Sequence, residues 1–237
     1  MNKFKKRNKQ SILYIVIYIF INIDDIILNR KWTMEEIILM EYKSTIKSKP
    51  YLYKETKKAS SLINKGLKVE EIKGKSIEDN IFQLESEARK REVASIITAR
   101  LKKLDEHIIY SIENSNIETS KILVLYAILK TDRLFFEFIN EVYKEKILLK
   151  DLFIRDKDFG VFFQNKREQS ERVASWSEYT FKKLKQVYIR ILFESGLIVN
   201  QNGDREIRIP IIESEIKDYL YSIGDSVYLN AILGIIN

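Results

Sequence analysis

The sequence predicts a mainly α-helical protein: a helical N-terminal domain followed by a winged-helix-like C-terminal domain with one short β-hairpin. Only 7 Gly and 2 Pro occur among 237 residues, which disfavours β-sandwiches and dinucleotide-binding folds. Apolar residues recur at helical spacing from Met40 onward. Near the C-terminus, a long basic helix precedes an Asn-Gly turn between two extended runs, which is a strong hairpin signal.

The first 39 residues form an extension that has three possible interpretations. A basic stretch precedes the apolar run 12–23, and Asp24 and Asp25 follow at once. The three interpretations are that the extension is a non-native or dispensable segment, that it is an anchor at a membrane or interface, or that it is an integral element of the core. A helix crossing a bilayer here would bury both aspartates, which is costly. We therefore expect no membrane partner unless residues 1–30 are a genuine anchor.

An N-terminal helical domain is predicted over residues 40–115. The apolar spacing predicts a helix over residues 52–65 that ends before Gly66, a residue typical of helix C-termini. Ser76, with an acidic residue three positions later, resembles a helix start. A single long helix with a basic outer face is predicted over residues 86–107.

The C-terminal domain is predicted over residues 116–237. Residues 118–129 end in a continuously apolar run from Ile122 to Leu129, which indicates a buried helix. An aromatic-rich helix over 131–146 follows, and its Phe side chains are expected in the core. After a break, another helix is predicted over residues 161–174.

The segment that carries the functional prediction starts with a helix over residues 177–195. Ser177 is its expected N-cap and Gly196 its expected stop. Two extended runs, 197–200 and 205–211, follow on either side of the Asn-Gly turn. This order is that of a winged helix, in which the last helix enters the DNA major groove and the hairpin lies along the backbone or minor groove. Helix-plus-hairpin modules also occur in proteins that bind only other proteins.

Charge is concentrated in two basic regions of a chain whose net charge is +7. Residues 31–75 carry a net charge of +5 and residues 166–200 a net charge of +3. Such an excess permits a nucleic-acid partner, although surface lysines are most often simply solvated. The cations of the last helix lie away from its apolar stripe. The candidate DNA-binding residues are Ser177, Lys182, Lys183, Lys185, Gln186, Arg190, Arg205 and Arg208.

No pattern in the sequence indicates catalysis. The chain has no Cys and one His, His107, which excludes thiolate chemistry and His-rich metal centres. Phosphate-binding, nucleophile-elbow and zinc-protease motifs are absent. Tyr126 and Lys130 have a reductase-like spacing but no dinucleotide loop. The sequence therefore predicts no enzyme activity, no catalytic residue, no cofactor and no metal site.

Several stretches from about Tyr42 to the C-terminus resemble the BrxA family, small accessory proteins of BREX phage-defence loci. None of these stretches is a catalytic motif, and their order and spacing over about 190 residues carries the resemblance. Residues 1–39 lie outside it. The matching stretches are Lys49-Pro50, Glu55–Ala59, Asn80–Phe82, Arg89 to Leu101, Tyr126–Phe138, Lys166–Ser170 through Trp176, and Ser195–Ile198.

The resemblance implies a helical, DNA-binding, non-catalytic component that acts beside the BREX methyltransferase, ATPase and phosphatase-like proteins. The expected partners are double-stranded DNA and other BREX proteins, and the expected location is the cytoplasm. The alternative is a protein–protein adaptor that scaffolds other BREX components without touching DNA. The two hypotheses differ in the expected salt dependence of DNA affinity, because binding through phosphate contacts weakens steeply as the salt concentration rises.

Overall fold

The computed structural model describes residues 35–236, so the predictions for residues 1–34 lie outside the described residues. Residues 35–39 are helical, and twelve α-helices and one small sheet follow within the described range. The prediction of a mainly helical protein is confirmed.

The N-terminal half contains four α-helices and two short 3₁₀ turns. The predicted helix over 86–107 is in fact two helices, because Asp105 accepts a hydrogen bond from the Ile108 amide (2.9 Å) and starts a new one. The predicted start at Ser76 is also wrong, since Ser76 lies inside a helix and donates to the Lys90 carbonyl at 3.1 Å. The helices are α1 (Tyr53–Asn64), α2 (Ile72–Glu78), α3 (Glu87–Leu101) and α4 (Glu106–Asn114), and the 3₁₀ turns are Thr45–Ser48 and Val69–Glu71.

The remaining eight helices follow from residue 117. The predicted buried helix is α5, whose residues 122–129 are all buried. The helix predicted over 161–174 starts five residues earlier, because Asp158 accepts a hydrogen bond from the Arg155 amide at 2.7 Å. The helices are α5 (Ile117–Leu129), α6 (Arg133–Phe138), α7 (Lys144–Leu148), α8 (Asp156–Gln169), α9 (Glu171–Ala174), α10 (Glu178–Ser195), α11 (Ser214–Ser222) and α12 (Ser226–Leu233), and a π turn (Ile139–Tyr143) joins α6 to α7.

A small antiparallel sheet lies beside α8 and α10. Strand β1 (Phe153–Ile154) pairs with β2 (Arg205–Glu206) in the register Phe153↔Glu206 and Ile154↔Arg205. On the other side of β2, the predicted hairpin forms in a shortened version, with a bridge between Ile198 and Ile207. The strand order is therefore β1, β2 and the bridge segment. The second strand of the hairpin was predicted over residues 205–211, but β2 spans only Arg205–Glu206.

One apolar core runs through the described residues. Helix α5 packs against α1, α3 and α4 on one side and against α10 and α12 on the other. Buried residues from both halves belong to the same cluster. The division into domains 40–115 and 116–237 therefore stays a prediction, and α5 is the element that joins the two halves.

A buried charge network fixes the start of the described chain to the C-terminal half. Glu137 accepts hydrogen bonds from the Tyr42 hydroxyl (2.9 Å) and the Arg133 Nε (2.7 Å), and it pairs with the Lys166 ammonium at 2.8 Å. Arg133 also donates to the backbone carbonyls of Ile38 and Met40. These contacts hold residues 35–42 against α6 and α8.

Candidate nucleic-acid interface

Helix α10 is defined at both ends by local hydrogen bonds. The Ser177 side chain accepts a hydrogen bond from the Thr180 amide at 3.3 Å, as the sequence predicts for an N-cap. Gly196 has φ +86°, and the Leu197 amide donates to the Leu192 carbonyl at 2.8 Å. This pattern is a Schellman motif, which ends the helix where Gly allows a left-handed backbone. The predicted bounds of this helix are confirmed.

One face of α10 is buried in the core. Tyr188 packs against the rings of Phe135 and Phe138, with centroid distances of 4.6 and 5.4 Å. Burial raises the pKa of the Tyr188 hydroxyl well above its ordinary value, so this side chain stays neutral. The buried stripe consists of Phe181, Leu184, Tyr188, Ile191 and Leu192.

The opposite face forms an exposed stripe along the whole helix. No Asp or Glu occurs from Tyr179 to Phe193, whereas three Lys and one Arg do. At 1.5 Å per residue this stretch is about 21 Å long. What we call the α10 stripe consists of Tyr179, Lys182, Gln186, Arg190 and Phe193.

The structure places three of the predicted site residues on or beside this stripe without tying them to a carboxylate. Lys182 and Gln186 are exposed, and neither has an ion pair or hydrogen bond within residues 35–236. Lys183 is half-buried, with its ammonium 5.5 Å from the Tyr179 ring centroid. These side chains are available to a ligand, whereas the Ser177 hydroxyl is occupied by the helix cap.

Three other predicted residues have carboxylate partners. Lys185 lies on the flank and pairs with Asp156 at 2.7 Å. Arg190 pairs along the helix with Glu194 at 2.7 Å, and its side chain is 62% exposed. Arg208 is also exposed, but it lies 3.5 Å from Glu118 at the start of α5, away from the stripe. The exposed pairs of Arg190 and Arg208 contribute little to stability.

Arg205 requires a correction, because it was expected to contact DNA from the exposed hairpin. It is only 6% exposed. Its guanidinium pairs with Asp156 at 2.8 Å and donates to the Gln201 carbonyl at 3.1 Å. The hairpin tip, residues 200–204, contains no Lys or Arg. The hairpin therefore presents no cation at its tip for a DNA backbone.

The structure also brings cations to α10 from the N-terminal half, which the prediction for this site had missed. The 3₁₀ turn Thr45–Ser48 packs against α10 and carries Lys47. A groove beside Arg190 is lined by Lys54, Arg89 and Lys121. The sequence signal for Lys47 and Lys54 was the net charge of +5 over residues 31–75, which by itself gives no position in space. Arg89 and Lys121 lie outside that range, and Lys121 belongs to α5.

Not every basic residue of that region faces solvent. Burial lowers the pKa of Lys49, and the nearby Arg100 lowers it further. Arg100 itself is buried and donates to the backbone carbonyls of Tyr51 (2.8 Å) and Pro50 (2.9 Å). Arg100 therefore holds the segment before α1 in place.

Other kinds of site have no support in the part of the chain that the structure describes. Across residues 35–236, no cluster of three or more acidic or histidine side chains has an arrangement that could bind a metal ion. No helix in the same range has the length and apolar character needed to cross a bilayer. His107 packs against the Tyr219 ring, with the centroids 4.0 Å apart.

The fold and this surface together define a mainly helical protein with a basic helix face, which has no acid from Tyr179 to Phe193, beside a small sheet. A sequence profile of the BrxA family, described as "BrxA", matches residues 40–224, and the chain belongs to this family. A protein from Bacillus cereus (strain H3081.97), "BREX protein BrxA", is 54% identical over 193 residues, covering 81% of this chain and 96% of its own.

A solved structure shares the fold. It is described as the crystal structure of an uncharacterized protein from Magnetospirillum magneticum. The match has a TM-score of 0.70 at 19% identity and covers 82% of this chain and all of the other. This likeness concerns the fold alone.

Proposed function

We propose that this protein is a non-catalytic, double-stranded-DNA-binding accessory component of a BREX phage-defence system, and that α10 is its recognition helix. The family membership and the name of the Bacillus cereus relative support the BREX role. The interface is the α10 stripe together with the neighbouring Lys183, and the contacting residues are Lys182, Lys183, Gln186 and Arg190.

The order of elements around α10 supports a winged-helix assignment for this half. Strand β1 precedes α8, α10 follows, and the hairpin then returns so that β2 lies next to β1. In a winged helix, a strand ahead of the second helix likewise joins the hairpin in one small sheet. The second helix of such a unit lies in the major groove and reads the base edges with its N-terminal part.

A single observation carries the proposal: the stretch from Tyr179 to Phe193 has four cations and no acid. An ordinary solvated helix face alternates both signs of charge. Within this stretch no carboxylate repels a phosphate backbone, and the two acids of α10 lie at its ends, where Glu178 pairs with Arg167 and Glu194 with Arg190. Because Lys and Arg without base-specific partners contact mainly phosphates, we expect weak sequence preference.

The test is a variant in which Lys182, Lys183 and Arg190 are all replaced by Ala. We expect it to melt near the wild-type temperature, because all three side chains lie outside the core stripe. Its affinity for a DNA duplex should fall, and the plot of log affinity against log salt should flatten by about 2–3 units, near 0.9 per phosphate contact.

A control variant with the same loss of charge separates local contacts from net charge. Lys65, Lys73 and Lys103 are exposed and lie in or near α1, α2 and the end of α3. Their replacement by Ala should leave the salt dependence close to wild type. Equal losses in both variants, or no loss in a well-folded α10 variant, would remove α10 from the interface.

A second candidate function, an adaptor for other BREX proteins, is favoured by an exposed apolar segment that leads into β1. Leu149 is 73% exposed, and Leu148, Leu152 and Phe153 are each 40% exposed. Exposed apolar clusters of this kind mark protein interfaces. Leu149→Asp should abolish complex formation with a purified BREX protein of the same locus while leaving DNA binding intact, if the adaptor role is correct.

A further inference from the structure

A groove of about 730 Å³ lies where the N-terminal half meets the C-terminal end of α10. The segment Pro50–Leu52 forms its base. Its walls come from the first turns of α1, α3 and α5 and from the last two turns of α10. Four separate helices therefore converge on it.

The charge of this groove is predominantly positive. Its lining includes four cations, contributed by Lys54, Arg89, Lys121 and Arg190, against two carboxylates, Glu55 and Glu194. Lys54 and Lys121 have no ion pair within residues 35–236. Two ammonium groups without a carboxylate partner in one groove are a ready site for anionic oxygens.

The remaining two cations have exposed partners on their own helices. Arg89 pairs with Glu92 and Arg190 with Glu194, both at 2.7 Å. Such solvent-exposed pairs are weak, so either arginine can turn to a stronger ligand at little cost. Phe193, which is 39% exposed, adds an apolar surface beside them.

The groove continues the α10 stripe without a gap, since Arg190 and Phe193 belong to both. The stripe is about 21 Å long, whereas the major groove of B-DNA is about 12 Å wide. If the N-terminal half of α10 lies among the bases, its C-terminal end extends past them to the phosphate backbone at the rim. The groove described above, which we call the junction groove, lies at that end.

We propose that the junction groove binds a phosphodiester segment of the same duplex that α10 contacts, so that both halves of the protein bind one DNA molecule. This inference rests on the proposed function. It gives the N-terminal half a direct role in binding through Lys54 and Arg89, and Lys121 on α5 is a third phosphate ligand. It also supplies the backbone contacts that the hairpin tip, which has no cation, does not offer.

The test compares three variants of the full chain by duplex binding over a range of salt. Lys54→Ala with Lys121→Ala removes the two unpaired cations of the groove. Lys182→Ala with Lys183→Ala removes two cations of the α10 face. Lys65→Ala with Lys103→Ala is the control of equal charge, at the far ends of α1 and α3. Thermal melts establish that each variant is folded.

If the inference is correct, the groove pair and the α10 pair each weaken binding and each flatten the salt slope by about 2 units, while the control pair does neither. A loss in the α10 pair alone would overturn the groove assignment and leave the proposed function standing. A loss in the groove pair alone would keep the groove as a DNA site and overturn the role of α10. Wild-type protein that binds no duplex would overturn both.

An acidic protein segment is the competing occupant of a basic groove. Polyglutamate is the probe for it. Polyglutamate binding that is lost in the groove pair, while duplex binding in that pair stays at the wild-type level, would assign the groove to a protein partner and overturn the DNA assignment.

Discussion

Asp132 is a buried carboxylate whose pKa is shifted in opposite directions by its burial and by the cations beside it. It starts α6 by accepting a hydrogen bond from the Phe135 amide at 2.9 Å, and it lines a small cleft with Lys49 and Arg100. Burial raises the pKa of its carboxyl group to about 6, and the two neighbouring cations only partly offset that rise. The folded protein therefore binds this proton more tightly than the unfolded chain does.

Asp132→Asn should alter the pH dependence of stability in a defined direction. Because the folded-state pKa is raised, the contribution of Asp132 to stability is fully present below about pH 4 and is lost as the pH rises through about 6. Asn keeps the cap acceptor and does not titrate. Urea unfolding at pH 4 and pH 7 should show the variant gaining about 2 kcal/mol on the wild type between the two values. Parallel pH profiles would contradict this account.

Arg205 offers a second residue-level test, since its burial makes it a structural side chain. Arg205→Ala removes the pair with Asp156 and the bond to the Gln201 carbonyl. We expect a loss of about 1–3 kcal/mol in the free energy of unfolding, with the salt slope of DNA binding unchanged. Arg208→Ala, at an exposed position, is the matched control and should change stability by less than about 0.5 kcal/mol.

At the scale of elements, α6 and α10 are held together by apolar contacts and not by charge. Phe135 and Leu184 are both completely buried. The Phe135 ring packs on Tyr188 of α10 at 4.6 Å. The position of the α10 stripe therefore depends on this core.

Phe135→Ala and Leu184→Ala should each lower the free energy of unfolding by about 2–5 kcal/mol, because each leaves a cavity in a close-packed interior. Denaturant unfolding measures this. Val161→Ala, at a position 60% exposed on α8, should cost less than about 0.5 kcal/mol. Unchanged stability in both core variants would mean that the buried faces of α6 and α10 are wrongly assigned.

At the scale of the whole molecule, the start of the described chain belongs to the fold. Ile37 is 2% exposed, and Arg133 binds the Ile38 and Met40 carbonyls. The sequence left three interpretations of residues 1–39 open, and one of them predicted that the whole extension is dispensable. The contacts of Ile37 limit that prediction to residues before about 35.

A chain that begins at Met40 should still fold and remain soluble, since its helices carry a full apolar set. It should be less stable than a chain that begins at Met34 by about 1.5–3 kcal/mol, the value for burying one Ile side chain. Thermal and urea unfolding of the two chains measure the difference. Aggregation of the Met40 chain alone would assign the preceding residues a larger part in the core.

The sequence by itself determined the features that depend on neighbours a few residues apart. Ser177 and Gly196 bound α10 through hydrogen bonds within one turn of the helix, and the helical period placed its cations opposite its core stripe. Only the tertiary structure decided that β1 pairs with β2, that Arg205 is buried, and that the N-terminal cations stand beside α10. The β1–β2 pair and the Arg205–Asp156 pair join residues 49 or more positions apart in the sequence. The N-terminal cations reach α10 because α5 packs both halves around one core. No local pattern encodes either arrangement.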